Sequence, residues 1–304
     1  MKDLALLVMS CDKYSSVWYP YFELIKKYWP DHPEHIYLSS ETRGYSCEGL
    51  DITVINSNKV EPWSQRLLDV LTQIKEEFIV FSLEDFFLLG KVNTARIKEC
   101  LRWMREDSSI AECRLTTYDT VTAGDYYKGS DFRICPANHP YRVDTQVAVW
   151  RKSYLMSVIN PMETPWQFEG RASARSSSKP DKLLWLSPTP LNIHDLDAMI
   201  VPYFNRPADG YGIAWGKWLP NNKKWFENNG IHGVKFHRLG SLSKEGIDRR
   251  NKYLYVVPTT PGRKAIKTVY QLYVYADRMV RGFMINGMQD VRNTLSILKS
   301  RRIK

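Results

Sequence analysis

The chain of 304 residues has no run of about eighteen uncharged apolar residues, so it offers no candidate membrane-spanning helix. Cysteine is scarce and unpatterned. The five cysteines, Cys11, Cys47, Cys100, Cys113 and Cys135, are odd in number and form no CxxC pair, which excludes a disulfide framework and points to free thiols in a reducing compartment. The six histidines make no HxH or HExxH cluster, which removes the usual zinc signatures. Acid is nearly missing from one end. From residue 262 to 304 only Asp277 and Asp290 oppose ten Lys and Arg, so this tail carries +8 of the net +10 and the body before it is close to neutral. A near-neutral body lacks the distributed basic groove that a nucleic acid requires, and nucleic acid is not expected as a partner. The opening MKDLALLVMS lacks the small-residue cleavage pattern of a secretory leader and reads as a first buried strand.

What is present is a core. Hydrophobic residues make up 43% of the chain, enough for one large domain or two modest ones. Short apolar runs at 4–10, 35–40, 52–57, 78–85 and 110–116 read as strands, as do 145–150 and 182–187. Between 62 and 75, Leu67, Leu71 and Ile74 recur at helical steps, and between 94 and 105, Ile97, Leu101 and Met104 do the same. Strands apolar on both faces and separated by helices imply a mostly parallel sheet covered on both sides, an α/β fold of Rossmann type. The Pro-, Ser- and Arg-rich stretch 160–181 reads as a loop around one short helix at most. The Gly-, Trp- and Asn-rich stretch 205–240 shows no usable period. Apolar residues from Ile266 to Leu298 step by three and four, the pattern of two amphipathic helices.

In such a sheet ligands bind beyond the carboxyl ends of the strands. That rule selects Ser10, Cys11 and Asp12 after the first strand and Glu84 and Asp85 after the fourth. The stretch FIVFSLEDFFLLGK sets two adjacent carboxylates among greasy neighbours. An uncompensated buried charge costs several kcal/mol, so the pair is expected at a solvent-facing strand end or around a cation. Along a regular strand adjacent side chains face opposite ways, so both carboxylates meet one ligand only if the chain turns between them.

The conjunction of this acidic strand end with Phe86 and Phe87, a preceding W-S-x-R-L helix (Trp63, Ser64, Arg66, Leu67), VAVWRKSYL at 147–155, PWQFEGRASARS at 165–176 and GKW at 216–218 resembles bacterial nucleotide-sugar glycosyltransferases of the GT-A fold. The likeness is to those of lipopolysaccharide, O-antigen and capsule biosynthesis, and it covers roughly residues 1–220. It implies a sugar donor carried on a nucleoside diphosphate, UDP being the expected nucleotide, and a glycan or polyprenyl-linked acceptor. It also implies a divalent ion, Mn2+ or Mg2+, held by Asp85 and Glu84, although the family's Asp-x-Asp is not reproduced: the pairs spaced two apart are Ser82 with Glu84 and Leu83 with Asp85. One carboxylate, diphosphate oxygens and water still satisfy a hard cation.

Glycosyl transfer builds negative charge on the departing diphosphate and needs a base for the acceptor hydroxyl if it inverts. Asp85 is assigned to the first task and Glu169, in the aromatic segment where the resemblance puts the base, to the second; Asp144 and Asp131 are the next candidates. Ser10, Cys11, Asp12, Arg66, Glu84 and Lys217 are expected to bind the donor, and Trp166, Arg171 and Arg175 the acceptor. The division expected is a catalytic domain over 1–260, with a nucleotide-binding half to about 120 and an acceptor half from 121, followed by the basic tail 261–304. That tail suits the anionic inner face of a plasma membrane, which would make the protein cytoplasmic and peripherally attached. Oligomeric state is left open. Two rival functions remain: a sugar nucleotidyltransferase, disfavoured by the glycine-free SCDKYSS after the first strand, and a noncatalytic scaffold that binds the sugar nucleotide.

Overall fold

The computed structural model describes residues 1–57, 61–117, 123–188, 195–203, 212–214 and 216–243. The chain separates into two units, Met1–Ile247 and Asp248–Lys304. The amphipathic pair expected in the tail lies outside the described residues, and the architecture below is that of the first unit.

The elements run β1 (Leu4–Met9), α1 (Ser15–Tyr28), β2 (His35–Ser40), β3 (Ile52–Asn56), α2 (Trp63–Gln73), β4 (Phe78–Leu83), α3 (Thr94–Glu106), β5 (Ile110–Arg114), β6 (Phe132–Ile134), β7 (Ala148–Arg151), α4 (Lys152–Val158), α5 (Pro165–Ser177) and β8 (Lys182–Leu186). A short hairpin, β9 (Ile213–Ala214) and β10 (Lys217–Trp218), and α6 (Asn222–Asn228) follow. Eight strands form one sheet in the order β3-β2-β1-β4-β7-β5-β8-β6. β3, β2, β1 and β4 are mutually parallel, as are β5 and β8, while β7 runs antiparallel between β4 and β5 and β6 closes the far edge antiparallel to β8. This is the mostly parallel α/β sheet, flanked by helices, that the sequence led us to expect.

The alternation of the strands assigns the helices to faces. Leu4, Leu6 and Val8 of β1 join a core with Val17, Trp18 and Phe22 of α1 and Ile97, Leu101 and Met104 of α3. Ala5, Leu7 and Met9 point the other way, into a core with Leu67, Val70 and Leu71 of α2, Leu155 of α4 and Phe168 and Ala172 of α5. Each fully buried large apolar side chain contributes about 1.5–3 kcal/mol, and with every β1 residue buried the sheet's central position is set by that strand.

Local signals place the ends. Asn93 caps α3 by accepting from the Arg96 amide. The structure corrects the loop expected over 160–181: residues 165–177 are α5, opened by a capping box between Thr164 and Gln167 with Pro165 in the first turn. Thr-Pro-x-Gln carried that signal in plain sight. The fourth strand also stops sooner than its apolar run, at Leu83. Among the described residues no helix is long and apolar enough to cross a membrane, and all five cysteines are free thiols.

Candidate functional site

β1 and β4 are paired with Met9 opposite Leu83, so Ser10 follows beside Glu84. There the chain leaves the sheet in a turn: the Phe86 amide donates to the Leu83 carbonyl at 3.2 Å and the Phe87 amide to the Asp85 carbonyl at 3.1 Å. The turn removes the strand alternation that would have sent Glu84 and Asp85 to opposite faces. Glu84 is buried, and burial first, then the neighbouring Asp85 charge, hold its carboxyl well above the usual range. Burial pushes Asp85 up to about 6. Asp85 Oδ1 is buried with no hydrogen-bond partner. Burial first, and then the same two acids, also raise the Tyr14 and Tyr21 hydroxyls.

Around this pair the ends of β1, β2 and α2 are tied together. Arg66, almost fully buried, donates to Glu41 Oε1 at 2.8 Å and to the Ser10 carbonyl at 3.2 Å. Glu41 Oε2 in turn accepts from the Asp12 amide at 2.9 Å. Ser10 Oγ accepts the Trp18 indole N–H at 2.7 Å. The Asp12 carboxylate collects the Ser40 and Thr42 hydroxyls and the amides of Glu41, Thr42 and Arg43, which lowers its pKa and fixes the loop after β2. Cys11 stays half-buried, its thiol raised first by burial and then by Glu84. Glu41 went unnoticed in the sequence, although the strand-end rule that selected Ser10 reaches it too.

The antiparallel β7 brings the second half of the site to this edge. Phe81 pairs with Ala148, so the residues leading into β7, Asp144 and Thr145, run past the end of β4 where Glu84 and Asp85 turn. Thr145 donates to Glu169 Oε1 from its hydroxyl at 2.7 Å and its amide at 3.2 Å, anchoring that carboxylate from α5. Asp144 lies 3.0 Å from the Arg114 guanidinium, yet burial pushes it up to about 8. Behind it Arg114 stacks 3.3 Å from the Trp185 ring centre and meets Glu112, whose carboxyl burial raises to about 7. Asp131 is elsewhere, paired with Arg96.

The remaining expected residues are divided. The glycine of GKW has φ +72°, and a Cβ there would stand 3.2 Å from Lys13 Nζ and 3.4 Å from the Tyr14 hydroxyl, so this turn is seated on the loop after β1. Lys217 is exposed beside it, while Trp218 is buried and stacked on Phe87. Trp166 stands 80% exposed in the first turn of α5. Arg175 makes a two-point ion pair with the buried Glu163, 2.7 Å at each contact, and donates to the Val158 carbonyl, so its guanidinium joins α5 to the segment before it. Arg171 approaches the same Glu163 at 4.0 Å and keeps a buried Nη2 without a hydrogen bond. Replacing Arg175 by alanine leaves Glu163 poorly compensated and is expected to cost about 3 kcal/mol in urea denaturation, whereas Trp166→Ala is expected to leave the transition unchanged within about 0.5 kcal/mol. Equal costs would refute this division of labour.

Among the described residues no group of three or more His, Cys, Asp or Glu side chains is arranged around a metal position. Glu84 and Asp85 nevertheless fit a hard cation whose shell is completed by diphosphate and water, because Asp85 Oδ1 is an unclaimed buried oxygen.

Fold and site together define an α/β protein with a mostly parallel sheet and its polar groups gathered at the carboxyl edge of the parallel strands. Among solved structures, the chain is similar to Staphylococcus aureus TarS 1–349, at 11% identity and a TM-score of 0.39 over 62% of this chain and 60% of that one. It is similar to the same protein in complex with UDP-GlcNAc, at 13% identity and 0.38 over 69% and 64%. A cytidylyltransferase from Leptospira borgpetersenii matches at 10% identity and 0.36 over 59% and 72%. The chain thus spans less than two thirds of the TarS chains, and likenesses this loose assign it neither a chemistry nor a ligand. No family model matches the chain, and no curated protein does.

Proposed function

We propose that this protein transfers a sugar from a nucleoside-diphosphate sugar, in the first instance a UDP-sugar, to a glycan or polyprenyl-linked acceptor of a bacterial surface polysaccharide, with inversion. The observation that carries the reading is the unpartnered, buried Asp85 Oδ1 beside Glu84 where β4 leaves the sheet. Two raised carboxyls at a ligand-binding sheet edge form a site that gains by taking up a cation. Glu84 and Asp85 would hold Mn2+ or Mg2+, and that ion supplies charge neutralisation to the departing diphosphate.

The other roles belong to the chain's own side chains. Ser10, Glu41 and Arg66 form the polar wall against which the nucleoside lies. Glu169 takes the acceptor hydroxyl proton, its carboxylate held in place through Oε1 by Thr145. Asp144 is the poorer base, because with its pKa near 8 it already carries a proton at neutral pH. Trp166 offers an exposed aromatic face to a sugar ring. The basic tail attaches the enzyme to the anionic leaflet that carries a polyprenyl acceptor, with about 1 kcal/mol from each basic residue close to the surface.

UDP-, GDP- and dTDP-sugars, each with and without Mn2+, provide the test. One class is expected to raise the melting temperature and to be slowly hydrolysed by the purified protein. Glu169→Gln is expected to keep that thermal shift while transfer to acceptor falls about 10²–10⁴-fold. A protein stabilised by a sugar nucleotide that it neither hydrolyses nor transfers would return the scaffold reading, one that responds to no sugar nucleotide would refute the proposal, and one that releases pyrophosphate while forming a sugar nucleotide would return the nucleotidyltransferase.

A further inference from the structure

A concave site lies on the α1 side of the sheet edge. It is a cleft of about 450 Å3 between the first turns of α1, the loop after β2 and the segment 232–238. Its walls carry Arg43, Lys235 and Arg238, and among the described residues none of the three has an acidic partner within ion-pair distance. Among the described residues no acidic side chain lines it. Three cations brought together from separate segments repel one another unless an anion joins them.

Two more features point to the same occupant. α1 begins here with no side-chain cap, and the one acid of the 3-10 turn that leads into it, Asp12, is turned to the loop after β2. Ser16, in that turn, is 7% exposed and its hydroxyl has no hydrogen-bond partner, although it lines the cleft. A buried hydroxyl without a partner costs about 1–3 kcal/mol, which a ligand oxygen would recover.

The walls are firmly held. Asp12 fixes the loop bearing Arg43 by accepting its amide and two before it. Tyr45 stacks on Phe22 at 5.3 Å, and Phe236 meets Trp218 edge-on at 5.2 Å beneath Lys235 and Arg238. Tyr19, 39% exposed, supplies an aromatic face at the mouth.

We propose that this cleft binds a phosphate-bearing ligand, a phosphomonoester or diphosphate, whose oxygens meet Ser16 and the Arg43, Lys235 and Arg238 side chains. None of its lining residues belongs to the Ser10, Glu41, Arg66, Glu84 and Asp85 cluster. The Trp18 indole is the shared wall, since it lines the cleft and donates to Ser10.

Titrating the full chain with inorganic pyrophosphate in EDTA, followed by calorimetry and tryptophan fluorescence, tests the site. Saturable binding is expected, weakened about tenfold or more by the double substitution Arg43→Ala with Arg238→Ala, both exposed positions, and about threefold or more by Ser16→Ala. Asp85→Asn is expected to leave pyrophosphate binding unchanged, which keeps this inference separate from the proposed transfer reaction: either fails without the other. Competition by glucose 1-phosphate would identify a soluble phosphate ester as the ligand, and competition by phosphatidylglycerol vesicles a lipid headgroup. No saturable binding, or binding indifferent to the double substitution and to Ser16→Ala, overturns the proposal.

Discussion

Replacing Asp85 by asparagine is expected to cut donor hydrolysis and transfer about 10²–10³-fold while making the folded protein more stable at neutral pH. The two effects share one cause. Asp85 is raised from 3.8 to about 6 by burial, and its Oδ1 finds no donor. Between those two values the folded state keeps a proton that the unfolded state has released, so stability falls as pH rises through that window and the loss is complete above it. A shift of this size corresponds to about 2–3 kcal/mol. Asparagine removes the penalty, and with it the charge beside Glu84, whose own carboxyl is then easier to ionise. Urea denaturation at about pH 4 and pH 7 should show parent and variant alike at the lower value and the variant ahead at the higher. A variant that keeps its activity, or that is destabilised at neutral pH, would deny this position its role.

Arg114→Ala is expected to produce the largest loss of stability, about 3–5 kcal/mol near pH 8. The residue is fully buried, stacked on Trp185 and set between Glu112 and Asp144. Both acids are raised by burial, to about 7 and about 8, and Arg114 is the main influence holding them down. Its removal lets both rise further, so at pH 8 the variant must either keep charges buried or take up protons. Near pH 5 both carboxyls are already neutral in the parent, and much of the cost disappears. Transfer should fall as well, because Asp144 precedes the Thr145 that anchors Glu169. A cost that is the same at both pH values would show that Arg114 acts through packing alone.

Some of this architecture was legible from residue pattern. The span His35–Ser40 matched its strand end for end, and Leu67, Leu71, Ile97 and Leu101 marked the buried stripes of α2 and α3. Those readings held because an apolar run or a three-and-four step records local burial directly. The stretch 160–181 read as a loop with room for one short helix, and the thirteen residues of α5 exceed that reading because Ser, Arg and Gly weaken its apolar stripe, leaving only the Thr164–Gln167 capping box to announce it. The strand 145–150 was found, but its direction was not, since an antiparallel strand buried on both faces has the same composition as a parallel one.

Side-chain allegiance was the harder matter. Arg175 and Asp12 are polar residues in suggestive places, and each is taken up by a partner distant in sequence or by a neighbouring loop. By itself the sequence determined that a mostly parallel sheet would form and that two acids would stand at the end of its fourth strand, because burial periodicity and chain order are written residue by residue. Only the tertiary structure decided that the chain turns at Glu84–Asp85, that β7 delivers Asp144 and Thr145 to the same edge, and which charges are already neutralised. These depend on where residues far apart in the chain meet, and in a low-dielectric interior that meeting determines whether a charged group is a strut or a site.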